Sequence, residues 1–327
     1  MPLKEDQMDN WGYGITNKGE AFSLHLIKNP SQLLVKFYEN DLETRNINIK
    51  LIDTLKLQNV YLEESKLGQY SIYAYYFNGI EFKITGVGTG YSSINSNGLQ
   101  HILFNDSGFV LINKKHEFSL DLIKSFESDF AQKKADRKEN KNKAGINDLV
   151  LKEQIFLKDG SRFIIGEQQS TQNEREFFGM SNSVSTFYHF ENIIICKLDS
   201  AHNLLWIKKL PKKQKGTYGK GSMGYKIWFN ENNALFFFVE RKQNLKKQQG
   251  IPLKYYQDGQ KGFLCVYFID IETGSYVRKT VLNKGKLNGK RTFKFGLDGL
   301  TKYSPNDYMA EFYMKYKKNN IYFFKVK

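Results

Sequence analysis

Short apolar or alternating runs, each bounded by Gly, Asn or Asp, recur along almost the whole chain and predict strands rather than helices. In NINIKLI the apolar residues Ile47, Ile49 and Leu51 alternate with Asn46, Asn48 and Lys50, the period of a strand with one wet face. In IIIC (193–196) and LFFFV (235–239) the alternation disappears, as expected of strands covered on both faces. The fold class that follows is all-β.

The runs fall into groups of four, the sequence signature of propeller blades. WGYGIT, AFSLHLIK, QLLVKFY and NINIKLI make the first group, and a looser second group covers about residues 57 to 118. The third group is LVLKEQIFL, RFIIGEQQ, NIIICKLD and LLWIKKL. Its plan is repeated by the fourth, GYKIWFN, ALFFFVE, GFLCVYFID and SYVRKTVL. Both contain an apolar strand ending in Glu (Glu167, Glu240) and a later strand ending in Asp before a turn (Asp199, Asp270). In the third group, Asp199 and SAHN are expected to close the turn, Trp206 to pack against the next blade, and Lys208 and Lys209 to lead out into solvent.

A fifth group, RTFKFGL, YMAEFYMK and NIYFFKVK, has three strands where four are expected. The chain therefore reads as a single domain over 1–327, a β-propeller-like ring of four-stranded antiparallel blades, about five visible and the last incomplete. Only a short polar segment, MPLKEDQMDN, precedes the first strand. Either the ring closes imperfectly or the chain lacks its natural beginning.

Three segments break the strand pattern. SLDLIKSFESDFAQKK (119–134) predicts one helix, with Ser119 as N-cap, Phe118 and Ile123 as a hydrophobic staple, and Leu122, Phe126 and Phe130 on one face. The charged stretch 131–147 predicts a mobile loop. Two insertions, 171–190 and 242–262, fall between the second and third strands of their groups and so are expected on one rim. They carry Phe177, Phe178, Phe187, Tyr188, Tyr255 and Tyr256, a candidate recognition surface.

The net charge of +15 raises the question of nucleic acid. The basic residues, however, are overwhelmingly lysine, not the arginine preferred for planar phosphate recognition, and they are dispersed. A nucleic-acid partner is not expected. No apolar run approaches the ~20 residues of a membrane span, and the N-terminal residues are charged where a signal peptide needs apolar ones.

Catalytic patterns do not emerge. GVGTGY (86–91) has Tyr91 at the last glycine position of a dinucleotide loop, so a flexible loop is expected there. His25, His101, His116, His189 and His202 show no paired spacing, and Cys196 and Cys265 sit within apolar strands as inert buried thiols. No metal site, cofactor or nucleophile motif is predicted. Glu167 and Glu240 are the carboxylates singled out, because they recur at one place in adjacent repeats. Recurrence of that kind favours a strand-end hydrogen bond over an active site.

The order FVLINKKHEFS, a Lys-rich helix, LVLKEQIFLKDGSRFIIGEQQ, TFYHFENIIICKLDSAHNLLWIKKLPKKQ and NENNALFFFVERKQNL resembles a family of exported, β-propeller-like proteins of Bacteroidota. The likeness covers about residues 100 to 250 well and the remainder loosely. It implies a longer precursor with a signal peptide and further strands upstream, and it transfers no activity and no functional residue. By resemblance the protein belongs to the cell envelope or is secreted; if Met1 is the true start it is cytoplasmic.

The resulting expectation is a monomeric, non-enzymatic interaction module that binds a protein or glycan through its rim loops and repeated strand ends. Glu167, Phe178, Tyr188, Glu240, Tyr255 and Tyr256 are the candidate site residues. The alternative is a carbohydrate-active hydrolase or lyase with its site in a propeller funnel.

Overall fold

The structure of the protein, a computed structural model, describes residues 8–16, 19–28, 31–40, 42–50, 56–66, 68–84, 90–141, 143–178, 181–217, 222–247, 251–258, 262–283, 286–287, 290–304, 306–314 and 318–326. Its strands form five sheets in chain order. The first is β1 (Met8–Ile15), β2 (Ala21–Lys28), β3 (Ser31–Glu39) and β4 (Leu42–Lys50), paired antiparallel in that order. The second is β5 (Lys56–Lys66), β6 (Gln69–Ile84), β7 (Gly90–Asn105) and β8 (Val110–Glu117), with β9 (Ile146–Asn147) added to β7.

The third sheet is larger. It runs β10 (Leu149–Phe156), β11 (Arg162–Phe178), β12 (Ser181–Leu198), and two short strands divide β12 between them. These are β13 (Leu204–Leu210), opposite Ile193–Leu198, and β14 (Gln214–Gly216), opposite Tyr188–Phe190. Pro211 lies between them, where a residue without an N–H interrupts what would otherwise be one strand. The fourth sheet is β15 (Lys226–Phe229), β16 (Asn233–Glu240), β18 (Phe263–Asp270) and β19 (Tyr276–Asn283). Between its middle strands lies β17 (Tyr256–Gln257), which joins the third sheet by pairing parallel to β14.

The fifth sheet corrects one expectation. Besides β21 (Lys290–Lys302), β22 (Asp307–Met314) and β23 (Lys318–Lys325), it has a first strand, β20 (Lys286–Leu287), paired with β21. Two residues leave no periodicity to read, so the fourth strand was invisible in the pattern.

The sheets pack face to face in chain order, and the side-chain alternation of each middle strand divides it between two cores. In β16, Phe236 and Phe238 face the third sheet while Leu235, Phe237 and Val239 face the fifth. In β12, Ile193 and Ile195 face the fourth sheet while Ile194 and Cys196 face the second. Each such fully buried side chain contributes roughly 1.5–3 kcal/mol, which is why these runs are apolar without a break. The first sheet packs its core toward the second, through Leu24, Val35, Phe37 and Ile49 against Ile72 and Phe104. Among the described residues no hydrophobic cluster joins the first sheet to the fifth, and closure into a ring is not seen.

Local chemistry at the turns follows the sequence. Asp199 accepts from the backbone N and the Nδ2 of Asn203 at 2.7 and 2.9 Å, and Asp270 accepts from the Thr273 N–H at 2.7 Å. Trp206 reaches the next sheet, donating from Nε1 to the Ile271 carbonyl at 3.2 Å. At Gly166 the second sheet comes so close that a Cβ would run into the Tyr75 hydroxyl.

The helical insertion departs from expectation. Instead of one helix there are two, α1 (Leu120–Lys124) and α2 (Asp129–Glu139), each with its own serine N-cap, Ser119 and Ser128. Phe126 at the break has a φ of 63°. The break ends the predicted stripe: Phe130 is 78% exposed, and Ile123 and Ala135 are the residues that bury against the second and third sheets. The charged stretch 131–147 is helical as far as Glu139, and its end forms β9. Ser128 supplies the cap that a scan for apolar periodicity alone passes over. Of GVGTGY, residues 86–89 lie outside the described residues, and Gly90 and Tyr91 begin β7.

Candidate functional site

The two insertions expected on one rim meet on the third sheet. β11 and β12 continue past the core as a ribbon, so 171–178 and 181–190 are strand rather than loop, with Thr171 opposite Tyr188 and Gln172 opposite Phe187. The ladder satisfies the backbone of such a ribbon whether or not its side chains alternate, so a polar sequence hides it. The 242–262 segment is tied to this ribbon through β17 and β14. Fully buried Asn244 holds its start: Nδ2 donates to Glu240 Oε1 and the Lys254 carbonyl, both at 2.7 Å, and Oδ1 accepts from the Lys254 N–H at 3.0 Å.

Where α1 and α2 lean over the base of the ribbon, they enclose a cleft of about 230 Å3. A register shift between Glu167 and Gln169 marks a bulge at its wall. On the bulge, Gln168 donates to the Asn147 carbonyl at 2.9 Å and accepts from Asn192 at 2.8 Å. Lys209, expected in solvent, is buried against the helices and lines this cleft. Its Nζ donates to the Ile123 carbonyl at 3.1 Å and to Glu127 Oε1 at 2.8 Å, and burial lowers its pKa. The helices that cover β13 thus supply the anion and the carbonyl a buried ammonium requires. Across the cleft, the Tyr255 hydroxyl donates to Glu191, and His189 meets the Tyr255 ring edge-on at 5.3 Å.

A second cleft of about 370 Å3 shares Asp148, Gln169, Ser170 and His189 with the first and extends to Tyr188 and Phe190. The two make one groove along β11. A third, larger cleft of about 920 Å3 lies at the opposite end, among the turns after β10 and β15 and beside β21, and includes Phe156, Phe229 and Lys302.

Glu167 and Glu240 do not line these clefts. Both are buried between the third and fourth sheets. Glu167 pairs with Lys212 at 2.7 Å, neither side chain more than 1% exposed, and accepts from Gln169 at 2.6 Å. Lys212 also donates to the Phe190 carbonyl at 3.0 Å and to Gln214 at 3.2 Å. Glu240 accepts from the Arg241 N–H at 2.7 Å and from Asn244, and its other oxygen is 3.6 Å from Arg278. Burial pushes its pKa up to about 7. Glu240 therefore sits at a strand end as expected, whereas Glu167 does not, because β11 continues past it to Phe178; both belong to a buried ionic layer.

Of the aromatic candidates, Tyr188 and Tyr255 are half-buried at the groove, while Tyr256 is buried beneath it with its hydroxyl 3.1 Å from Ser222 Oγ. Phe178 ends β11 opposite Ser181, and its side chain lies outside the described residues. What the sequence did not reveal is Asn147, Gln168, Gln172, Glu127 and Lys209, brought together from four separate segments.

Folding also assembles three of the scattered histidines. His101 stacks on His202 at 3.9 Å and on Tyr73 at 4.7 Å, the Tyr73 hydroxyl is 2.7 Å from His202 Nδ1, and His116 Nε2 lies 3.2 Å from the His202 carbonyl. Among the described residues no such group has the make-up of a metal site. Burial lowers both stacked imidazoles, His101 to about 2 and His202 to about 4. The unfolded chain takes up these protons below about pH 6.5 while the folded protein does not, so this pair favours unfolding as pH falls from 7 to 5. Thermal melts of His101→Phe are expected to show a shallower loss of Tm across that interval than the native chain. Parallel slopes would assign the acid sensitivity elsewhere.

No helix among the described residues is long and apolar enough to cross a membrane. No known family model matches the chain, and no curated protein is similar to it at a significant level.

Proposed function

We propose that this chain is a non-enzymatic binding module of the bacterial cell envelope, acting as a monomer, with its sheets as blades of a propeller-like ring and the groove along β11 as its recognition face. The observation that carries the reading is the groove itself. Two insertions and a helical pair, far apart in sequence, converge on one concavity whose first cleft is lined chiefly by polar side chains.

The ionisable groups around it are engaged with one another, Lys209 with Glu127, Tyr255 with Glu191, and Lys212 with Glu167 beneath. Groups so paired hold a surface in shape. What supports the ring is the succession of four-stranded meanders packed face to face in chain order. What supports the envelope is the resemblance to exported proteins.

The test immobilises the full chain and passes over it, separately, solubilised envelope proteins and envelope polysaccharides. Saturable binding of one fraction, weakened in a Tyr188→Ala/Tyr255→Ala variant that melts like the native chain, is expected. No saturable binding to either fraction would sink the reading. So would turnover of a polysaccharide, read as new reducing ends, that disappears in Glu167→Gln or Glu240→Gln.

A further inference from the structure

Resting on that reading, we infer that the groove along β11 binds a neutral oligosaccharide rather than a protein or an anionic polymer. Three features of its walls point the same way.

The first is charge. Lys134, Lys138 and Lys209 line the first cleft, and so do Glu127, Asp148 and Glu191. The chain carries +15 overall, yet this concavity is balanced, and its one deeply buried ammonium is already committed to Glu127 and the Ile123 carbonyl. A site for a polyanion concentrates uncompensated cations; this one does not.

The second is the supply of unused neutral hydrogen-bonding groups. Among the described residues, the Asn147 amide, the Ser170 hydroxyl and the Gln172 amide all line the groove and have no protein partner for their side chains. Each amide offers a carbonyl and an NH2 side by side, so it accepts from one sugar hydroxyl while donating to its neighbour. Vicinal hydroxyls of a pyranose present that alternation. The bulge at Gln168, locked by Asn147 and Asn192, fixes the wall before any ligand arrives, which lowers the ordering cost of binding.

The third is the placement of apolar surface. Ile123, Ala131, Ala135 and Ile146 give the first cleft a shallow aliphatic wall, and Tyr255 and Tyr188 stand at the first and second clefts. A sugar ring carries C–H groups on its faces and hydroxyls on its rim, and tyrosine meets both needs with an apolar ring and a polar tip. Peptide recognition would instead use an open strand edge or deep pockets for apolar anchors. An edge is present, since among the described residues β11 beyond Gln168 pairs only with β12, but the first cleft beside it is lined chiefly by amide, hydroxyl and charged side chains and gives apolar anchors little to bury against.

The probe is an array of defined neutral and anionic oligosaccharides presented to the full chain, followed by calorimetric titration of the strongest neutral one. Binding to a neutral oligosaccharide is expected, with affinity reduced about tenfold or more in Asn147→Ala/Gln172→Ala, as loss of two or more hydrogen bonds predicts. Ser170→Trp, which fills the shared wall of the two clefts from an otherwise small side chain, is expected to abolish binding. Circular dichroism melts identify a variant that fails to fold, and either variant alone decides the question. Silence on every neutral glycan overturns the proposal, as does binding confined to uronic or sulfated chains that fades with salt. Neutral-glycan binding that survives both substitutions in folded protein overturns the placement. A protein from the envelope fraction that binds while the array stays silent would overturn the glycan and leave the binding module standing.

Discussion

Replacing Lys212 by alanine is expected to destabilise the protein by about 3–5 kcal/mol, the range for removing one partner of a buried ion pair. Lys212 and Glu167 are at most 1% exposed and 2.7 Å apart. In the native protein the ammonium answers the carboxylate, the Phe190 carbonyl and the Gln214 amide oxygen together. Alanine leaves a carboxylate with Gln169 as its remaining donor in a site where even Glu240, better supplied, is pushed up to about 7. The measurement is the urea midpoint of Lys212→Ala against the native chain.

A paired variant separates charge from packing. Lys212→Met with Glu167→Gln removes both charges and keeps most of the volume, and should recover the larger part of the loss, because an apolar or neutral pair of similar size often substitutes for a buried ion pair without penalty. If the double variant is as unstable as Lys212→Ala, the layer between the third and fourth sheets depends on the Lys212 stem and not on its charge. If Lys212→Ala has the native midpoint, water reaches Glu167 and the layer is not dry.

The sequence made parts of this arrangement legible and hid others for identifiable reasons. Unbroken apolar runs such as IIIC and LFFFV named the strands with two covered faces, and the structure divides those same residues between cores. The recurrence of Glu167 and Glu240 pointed to strand-end hydrogen bonds; Glu240 does end β16 and accepts from Arg241, whereas Glu167 lies inside β11 and accepts from Gln169 at the bulge. The partner of Glu167 was unreadable, because LPKKQKG has the composition of a solvated cluster, and only Pro211 between β13 and β14 and the cover of neighbouring elements turn Lys212 inward. Lys209 was misplaced for a related reason: its cover is supplied by helices distant in the chain. Polar ribbons leave no periodic signal, so 171–190 reads as a loop although 171–178 pair residue by residue with 181–188. Tyr188 and Tyr255 could be chosen because aromatics on insertions stand out, whereas Asn147 and Gln172 resemble every other surface amide until the fold places them on one wall.

Arg162→Met is expected to match the Lys212 variant in size, about 3–5 kcal/mol, but to act at the other face of the third sheet. Arg162 Nη1 reaches Glu63 Oε1 and the Tyr73 hydroxyl, each at 2.5 Å, with the Arg and Glu side chains 8% and 2% exposed. Its guanidinium also lies 5.5 Å from the Tyr73 ring and 4.9 Å from that of Phe156. Arg162 thus adds a buried polar link to the apolar core shared by the second and third sheets, and through Tyr73 the contact continues into His202. Burial already raises the Glu63 pKa while Arg162 opposes that rise, so methionine leaves Glu63 with Gln154 as its remaining donor and drives it toward protonation. That makes the penalty pH-dependent. It should shrink on acidification, because a neutral Glu63 no longer needs the cation, and the native and variant midpoints should converge between pH 7 and 5. Arg162→Lys should recover part of the loss, since one ammonium keeps the charge but cannot reproduce the planar contacts to both partners and rings. Hydrogen exchange gives the spatial readout: in Arg162→Met, amides of β6 and β11 should lose protection before those of β16 and β18, whose core lies one sheet away. Equal loss across all of these strands would mean that the stack unfolds as one unit and that the interface between the second and third sheets is no weaker than the rest.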